Sequence, residues 1–267
     1  MESECRAELK TRACLKNAFR ELRIQSLNYD QRGDGVMKYT AIVLAAGKGD
    51  RMNSSTRKQY MELEGFPLLY YALHAFEQSC VDEIVLVAGE DEIEYCRVQI
   101  VEKYQFQKVS RIVPGGSERY LSVYEGLCAV QDTDIVLIHD GARPFVTDEI
   151  IERTIQAAAA YGSGIAAMPA KDTVKIVDED RFAVQTPSRD RVWMMQTPQA
   201  FVYQDIRAAY EKILAQQITN VTDDAMVLEQ AFRKSAKIVE GSYYNLKVTT
   251  PEDMEIASAF CKKFKKI

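Results

Sequence analysis

The sequence has few of the residues that build metal and redox sites. Among its 267 residues are two histidines, one tryptophan and six cysteines, and no two cysteines have C-x-x-C spacing. These scarcities argue against a structural zinc site and favour thiols that pack as small hydrophobes in a reducing cytosol. No run of eighteen apolar residues is present, and the amino terminus has no apolar h-region. We therefore expect a cytoplasmic protein.

The sequence also lacks an excess of positive charge. The formal net charge is -5 at pH 7, and the sequence pI is about 5.3. This balance argues against a nucleic-acid or membrane partner, because such surfaces need a concentrated basic face. The length suits one domain of ordinary size with a proper core. A site for small molecules is the expectation that fits best.

Strand and helix patterns alternate from Lys38 onward. The apolar runs predict strands at Ile42 to Leu44, 83–88, 109–113 and 135–139. Helical patterns lie between them, and Ser117 and Thr147 are the predicted caps of two helices. Nearly continuous apolar strands with helical crossovers indicate an α/β fold, a Rossmann-like, mostly parallel sheet with helices on both faces. Ligands of such sheets bind beyond the carboxyl ends of the strands.

The first 37 residues differ from the rest in composition. They are rich in charge and end near the run Asp30 to Gly35, which contains two glycines. We expect an N-terminal extension over 1–37, flexible and dispensable, followed by one domain over 38–267. A short amphipathic helix that docks on a partner is the alternative for the extension.

A small-residue turn follows the first predicted strand, in the segment TAIVLAAGKGDRMNSSTRKQY. Little side-chain bulk lets a nucleotide approach the backbone closely. The residues concerned are Ala45, Ala46, Gly47 and Gly49. Arg51 and Lys58 follow at spacings that let them reach a phosphate tail. The segment completes neither G-x-x-x-x-G-K-[ST] nor G-x-G-x-x-G, and an ordinary glycine turn is the alternative to a nucleotide site.

Two further segments are expected at the same edge of the sheet. In HDGARPF, Asp140 directly follows an apolar strand, where a carboxylate is well placed to hold Mg²⁺ together with substrate phosphates. Arg143 either contacts a ligand or braces the loop through backbone carbonyls. In GGSERYLSV, Gly116 gives close backbone approach to a flat base, and Ser122 lies within reach of its polar edge.

A projecting hairpin is predicted between residues 171 and 195, a segment that we call the arm. Two short β-like runs, 173–176 and 182–186, flank the polar segment 177–181. Such a hairpin has too little core of its own and needs a surface to pack against. We expect a homodimer in which the arm packs on a second subunit; a hairpin folded onto its own domain is the alternative.

Taken together, eight ordered segments resemble the 2-C-methyl-D-erythritol 4-phosphate cytidylyltransferase family, which has the nucleotide-diphospho-sugar transferase fold. They are LAAGKGDRM, RKQY, GGSERYLSV, HDGARPF, KDTVK, QTPQAF, VTDDAMVLE and NLKVTTPEDM. The resemblance implies an enzyme of non-mevalonate isoprenoid biosynthesis. Such an enzyme uses CTP and 2-C-methyl-D-erythritol 4-phosphate, an alditol phosphate, to make 4-diphosphocytidyl-2-C-methyl-D-erythritol and pyrophosphate. It requires a divalent cation such as Mg²⁺.

The resemblance also implies roles for single residues. Arg51 and Lys58 match the catalytic cations, and Asp140 matches the magnesium aspartate. Ala45, Ala46, Gly116 and Ser122 match positions that surround the cytidine. The positions that hold the methylerythritol phosphate are Thr173, Arg189 and Lys247, of which the first two lie on the arm and reach a neighbouring subunit.

Two positions depart from the family's pattern. Arg57 stands where many relatives carry proline, directly before Lys58. The segment 241–245 before Lys247 has no carboxylate, although some relatives supply an acidic residue there. A second metal ligand would then be Asp223 or water.

Two other functions are consistent with the sequence. Ribitol-5-phosphate cytidylyltransferases share the fold, CTP and most loop residues, and differ in the alditol phosphate. A non-catalytic CTP sensor would bind the nucleotide without turnover, although Arg51, Lys58 and Asp140 are all present.

Overall fold

A seven-stranded sheet forms the centre of the protein, in a computed structural model that describes residues 37–47 and 57–264. Eleven strands occur in these ranges: β1 (Tyr39–Leu44), β2 (Glu62–Leu63), β3 (Phe66–Pro67), β4 (Glu83–Ala88), β5 (Val109–Pro114), β6 (Ile135–Asp140), β7 (Ser163–Pro169), β8 (Ile176–Val177), β9 (Ala183–Gln185), β10 (Trp193–Val202) and β11 (Ile238–Glu240). The large sheet has the order β11-β7-β10-β6-β1-β4-β5. Among these seven, β10 alone runs antiparallel to its neighbours, which confirms the predicted mostly parallel sheet.

Seven α-helices accompany the strands in the described ranges: α1 (Leu68–Gln78), α2 (Ile93–Tyr95, continued by the π-helix Cys96–Glu102), α3 (Arg119–Ala129), α4 (Asp148–Tyr161), α5 (Tyr203–Ala215), α6 (Asp224–Phe232) and α7 (Pro251–Phe264). Thr147 precedes α4 as predicted. The prediction for α3 was wrong by one residue, because Glu118 and not Ser117 has the extended backbone of the N-cap. None of these helices is long and apolar enough to cross a membrane.

The main core has two halves, one on each face of the sheet, and a third, smaller cluster packs α7 against the loop after β6. Side chains of a strand alternate between faces, so Ala41 and Val43 of β1 pack with α1, α2 and α4, whereas Ile42 packs with α3, α5 and α6. Strands β4 and β6 alternate in the same way and are fully buried at nearly every position. Burial on both faces explains why these strands are continuously apolar in sequence.

The loops after β1, β5 and β6 meet at the carboxyl edge of the sheet. The Gly141 amide donates to the Leu44 carbonyl at 2.9 Å, the Ala45 amide donates to the Val87 carbonyl at 2.7 Å, and the Gly115 amide donates to the Ala88 carbonyl at 2.8 Å. These bonds extend the sheet's pairing by one residue past the strands. Three segments that were predicted to form the site therefore lie side by side.

The predicted hairpin is present as a separate pair of strands, β8 and β9, which pair in antiparallel fashion. Its apolar side chains lie in solvent in the single chain, since Phe182 is 71% exposed and Val184 is 62% exposed. Of the predicted extension 1–37, Met37 is described, and the rest lies outside the described residues, as do Gly49 and Arg51.

Candidate active site

Asp140 lies at the centre of the site, as the last residue of β6. The Lys247 ammonium is 2.9 Å from its Oδ2. The Nε of Arg119 is 3.4 Å from Oδ1, and the Nε of Arg143 is 3.5 Å from Oδ2. We call these four residues the Asp140 cluster. The cluster joins Asp140 and Lys247, which are more than one hundred residues apart in sequence.

Electrostatics keep Asp140 ionised. Burial by itself would raise the pKa of this carboxyl, but the charges of Arg119, Lys247 and Arg143 hold its pKa well below the ordinary range. Three cations surround this one carboxylate, so the cluster retains positive charge. Such a site suits an anion, for example the phosphate groups of a nucleotide or an alditol phosphate.

Arg119 also binds a second carboxylate, Asp224, at the start of α6. Two guanidinium nitrogens contact the two Asp224 oxygens at 3.0 and 2.8 Å, and the Tyr210 hydroxyl donates to Asp224 at 2.6 Å. Asp224 and Tyr210 are fully buried. Arg119 and Asp224 had no predicted role, although both lie in motif segments. Each segment alone gave no sign that the two would pair.

A neutral histidine, His139, is linked to Asp140 through a hydrogen-bond partner that the two residues share. His139 is completely buried, and burial lowers its pKa to about 4. The Thr197 hydroxyl accepts from the Asp140 amide at 3.1 Å and lies 3.0 Å from Nδ1 of His139, while Nε2 lies 3.2 Å from the Arg143 carbonyl. This network fits an imidazole protonated on Nε2, with Thr197 as its second partner.

Arg143 braces the loop, which is one of the two roles expected for it. Its Nη1 donates to the Asn245 carbonyl at 2.8 Å, and the Val248 amide donates to the Ala142 carbonyl at 2.8 Å. The loop after β6 is thereby tied to the segment that carries Lys247. The brace explains how Lys247 is held beside Asp140.

The residues predicted to surround the nucleotide base come together where the loops after β1 and β5 meet. A Cβ added to Gly115 would lie 2.4 Å from the Ala46 Cβ and 2.8 Å from the Ser122 Oγ, so these two side chains face the same small-residue turn. Gly116 is next in the chain, and the Ser122 hydroxyl donates to the Glu118 carbonyl at 3.1 Å. Ala45 is buried and Gly47 is exposed.

Lys58 begins a short 3-10 turn, Lys58–Tyr60, beside the same loop. The amide Nε2 of Gln59, a buried residue, donates to the Ala45 carbonyl at 2.5 Å. The turn with Lys58 is therefore attached to the end of β1, next to the predicted nucleotide site. Gly49 and Arg51 lie outside the described residues.

Thr173 and Arg189 come together on the arm. The Arg189 Nη2 donates to the Thr173 hydroxyl at 3.2 Å, and both residues line a cleft of about 210 Å³. Within the described part of this single chain, the hydrogen bonds and ion pairs of these two residues do not reach the Asp140 cluster. The structure thus separates the predicted substrate residues into two groups.

Asp140 is the carboxylate available for a metal ion at this site. Residues 37–47 and 57–264 contain no group of three or more His, Cys, Asp or Glu side chains that could hold a metal. Asp223 has a structural use, because its oxygens accept from the Met226 amide at 2.9 Å and from Gln199 at 3.0 Å. It caps α6 in this way. We therefore assign Asp223 a structural role.

Comparison with known proteins agrees with this geometry. A family model described as IspD, 2-C-methyl-D-erythritol 4-phosphate cytidylyltransferase, matches residues 39–263. Proteins of that name from Clostridium botulinum (strain 657) and Lachnoclostridium phytofermentans are 50% and 47% identical to this chain. Each alignment covers 85% of this chain, and it covers 98% and 97% of the relatives, respectively.

A solved structure gives the same result. The crystal structure of 4-diphosphocytidyl-2C-methyl-D-erythritol synthase from Anaerococcus prevotii matches with a TM-score of 0.75 and 39% identity, over 85% of this chain and 96% of that one. These similarities confirm the predicted fold and the predicted class of enzyme, a nucleotidyltransferase. The chain belongs to the 2-C-methyl-D-erythritol 4-phosphate cytidylyltransferase family.

Proposed function

We propose that this protein transfers the cytidylyl group of CTP to 2-C-methyl-D-erythritol 4-phosphate. The products are 4-diphosphocytidyl-2-C-methyl-D-erythritol and pyrophosphate, made for non-mevalonate isoprenoid biosynthesis. The observation that carries the proposal is the Asp140 cluster, where Lys247, Arg119 and Arg143 surround one buried carboxylate beside the small-residue loops. Family membership supplies the identity of the two substrates.

The reaction needs no general base. A phosphate monoester has a second pKa of about 6, so the acceptor is largely a dianion at pH 7. One of its oxygens attacks the α-phosphorus of CTP in line, the bond to the bridging oxygen breaks, and pyrophosphate leaves with the electron pair. Catalysis then consists of positioning and charge neutralisation. Lys58 and Arg51 stabilise the charge around the α-phosphorus, and Lys247 holds the acceptor phosphate.

The nucleotide lies on the small-residue loops in this proposal. Ala45, Ala46, Gly47 and Gly49 let the phosphates and ribose approach the backbone, and Gly116 and Ser122 face the cytosine. The contact between Ala46 and the Gly115 turn supports this placement, because it brings both loops to one surface. Base and triphosphate are then held between β1, β5 and β6.

Asp140 fits a divalent cation such as Mg²⁺. Its carboxylate is ionised and buried, and magnesium sites commonly use one or two carboxylates together with substrate phosphates. Asp140 would hold the ion, and the nucleotide phosphates would supply further ligands. The bound ion would neutralise charge on the triphosphate. Lys247, which is paired with Asp140, lies where its ammonium group would bind the acceptor phosphate.

We propose that the active form is a homodimer in the cytoplasm. Each subunit has one domain over 38–267, with the arm at about 171–195. Two observations support the dimer. The arm exposes apolar side chains at Ile176, Val177, Phe182 and Val184. Among the described residues, Thr173 and Arg189 bond to each other and not to the Asp140 cluster, so a second subunit could bring its own pair to that cluster.

Pyrophosphate release tests the function. The purified protein is given CTP, Mg²⁺ and either methylerythritol 4-phosphate or ribitol 5-phosphate, with Lys58→Ala as the control variant. We expect fast turnover with methylerythritol phosphate that is lost in Lys58→Ala. Preference for ribitol phosphate would assign a different acceptor, and CTP binding without turnover on either substrate would indicate a sensor.

A further inference from the structure

Arg57, the residue before Lys58, is held in an ion-pair network at the end of β4. Its Nη2 contacts both carboxylate oxygens of Asp91, at 3.0 and 3.1 Å. Its Nε lies 2.8 Å from Oε1 of Glu92. The Arg57 and Glu92 side chains are only 27% and 11% exposed. The contact with Glu92 is therefore partly desolvated and holds geometry better than an exposed surface pair, whereas Asp91 is 75% exposed.

Glu92 also binds the other end of the turn that carries Lys58. Its Oε2 accepts from the Tyr60 hydroxyl at 3.1 Å and from the Gly89 amide at 3.3 Å. Burial raises the pKa of Glu92, and the Arg57 charge acts against that rise. Residues on both sides of Lys58 are therefore attached to one carboxylate, while Gln59 is attached to the end of β1.

We propose that Arg57 is a positioning residue for Lys58, because its ion pairs with Asp91 and Glu92 fix the turn that presents the Lys58 ammonium to the nucleotide. We call this arrangement the Arg57 clamp. The inference rests on the proposed function, in which Lys58 stabilises charge on the transferred phosphate. The clamp itself touches neither substrate.

The backbone conformation of Arg57 is one that proline could also adopt. Its φ is -61° and its ψ is 138°, which are values that proline adopts readily. A proline ring would restrict this φ covalently and would remove the guanidinium. The chain therefore restrains the approach to Lys58 with an ion pair, at a position where a ring would restrain it without charge.

Gly89 leaves the space that the Arg57 clamp needs. A Cβ at this position would lie 2.4 Å from Nη1 of Arg57 and 2.7 Å from Oε2 of Glu92. The backbone of Gly89, with φ -61° and ψ 145°, suits any residue. Alanine would thus displace the guanidinium without straining the main chain. The substitution Gly89→Ala therefore disturbs the Arg57 clamp while Arg57 itself is retained.

Steady-state kinetics with CTP and methylerythritol phosphate test the inference. A misplaced catalytic group costs transition-state stabilisation, so we expect Arg57→Ala to lower kcat roughly tenfold, with the KM for CTP changed by less than about twofold. Gly89→Ala should act in the same direction. Arg57→Pro should restore kcat to within about threefold of the unaltered protein. Arg97→Ala, which removes an exposed pair with Glu94 in the neighbouring helix, should have no effect.

A double-variant experiment identifies the route of the effect. If Arg57 acts through Lys58, then adding Arg57→Ala to Lys58→Ala should lower the residual rate no further. An equal fold-loss in both backgrounds would overturn the inference, as would a kcat of Arg57→Ala equal to that of the unaltered protein. Failure of Arg57→Pro to restore kcat would also overturn it, since the guanidinium itself would then be needed.

Amide hydrogen exchange gives a readout that does not depend on activity. The Tyr60 amide donates to the Arg57 carbonyl at 2.9 Å, and the Met61 amide donates to the Lys58 carbonyl at 3.2 Å. We expect both amides to exchange faster in Arg57→Ala and at the original rate in Arg57→Pro. Unchanged exchange in Arg57→Ala would overturn the clamp. Absence of turnover in the unaltered protein would instead count against the proposed function.

Discussion

The guanidinium of Arg119 forms two hydrogen bonds with the buried carboxylate of Asp224, at 3.0 and 2.8 Å. This contact joins the amino-terminal turn of α3 to that of α6, across 105 residues of sequence. The same guanidinium faces Asp140 through its Nε. Asp224 therefore fixes the plane of Arg119 and with it the charge beside Asp140.

Replacing Asp224 with asparagine should destabilise the protein and slow the reaction. The variant keeps the shape but removes the charge that Arg119 and Tyr210 bind, and hydrogen bonds to charged groups contribute about 1.5 to 3 kcal/mol. We expect a loss of about 2 kcal/mol in the free energy of unfolding, measured by urea denaturation. Asp205→Asn, which removes a half-exposed pair with Lys234, should change it by less than about 0.5 kcal/mol. Equal effects of the two variants would contradict this account.

Lys247 should matter more for the acceptor than for CTP. Its ammonium is held beside Asp140 at the strand edge, and losing one preorganised charge contact costs on the order of 10²-fold in rate. We expect Lys247→Ala to lower kcat/KM for methylerythritol phosphate by about that factor, while CTP affinity, measured by calorimetry, stays nearly constant. Lys262→Ala is the matched control, because this lysine is 71% exposed and lies 3.8 Å from Glu64.

Stability should fall as the pH drops below neutrality, in part because of His139. Its pKa is lowered by burial from 6.5 to about 4 in the folded protein, so the unfolded chain binds the extra proton first. The folded state loses stability as the pH falls from about 6.5 to about 4, by about 3 kcal/mol in total. Asp140, with its depressed pKa, adds a further loss below about pH 4.

Proton NMR can check the histidine directly. The chain has two histidines, so a His74→Gln variant assigns both imidazole signals. We expect the His139 signal to titrate near pH 4, and urea unfolding at pH 7.5, 6 and 5 to show a declining free energy. Titration of His139 near 6.5 would contradict the buried, neutral imidazole.

The strands and the Asp140 position could be predicted because their signals are local. A run of apolar residues ending in a carboxylate marks a buried strand that reaches the sheet edge. The ion pair between Arg119 and Asp224 could not be predicted in this way. A single sequence does not indicate which charged residues, far apart along the chain, come into contact in the core. For the same reason, the sequence shows that Arg57 departs from the family's pattern but does not predict its contacts with Asp91 and Glu92.

The arm should be needed for both assembly and activity. Phe182 and Val184 expose large apolar surfaces, and patches of this kind mark interfaces. We expect the double variant Phe182→Asp/Val184→Asp to be monomeric in analytical ultracentrifugation and to lose turnover, while its far-UV circular dichroism is unchanged. Phe232→Asp on α6, which is 43% exposed, should leave the oligomeric state as it is. A dimer that survives the arm substitutions would refute the proposed assembly.

Strand β10 belongs to two parts of the molecule at once. Its first residues, from Trp193, pair with the end of β7 beside the arm, and its last residues pair with β6 in the core. The register shifts between Met195 and Gln199, and the shift contains Thr197, whose hydroxyl binds the Asp140 amide. One strand therefore connects the base of the arm to the hydroxyl group that binds the Asp140 amide.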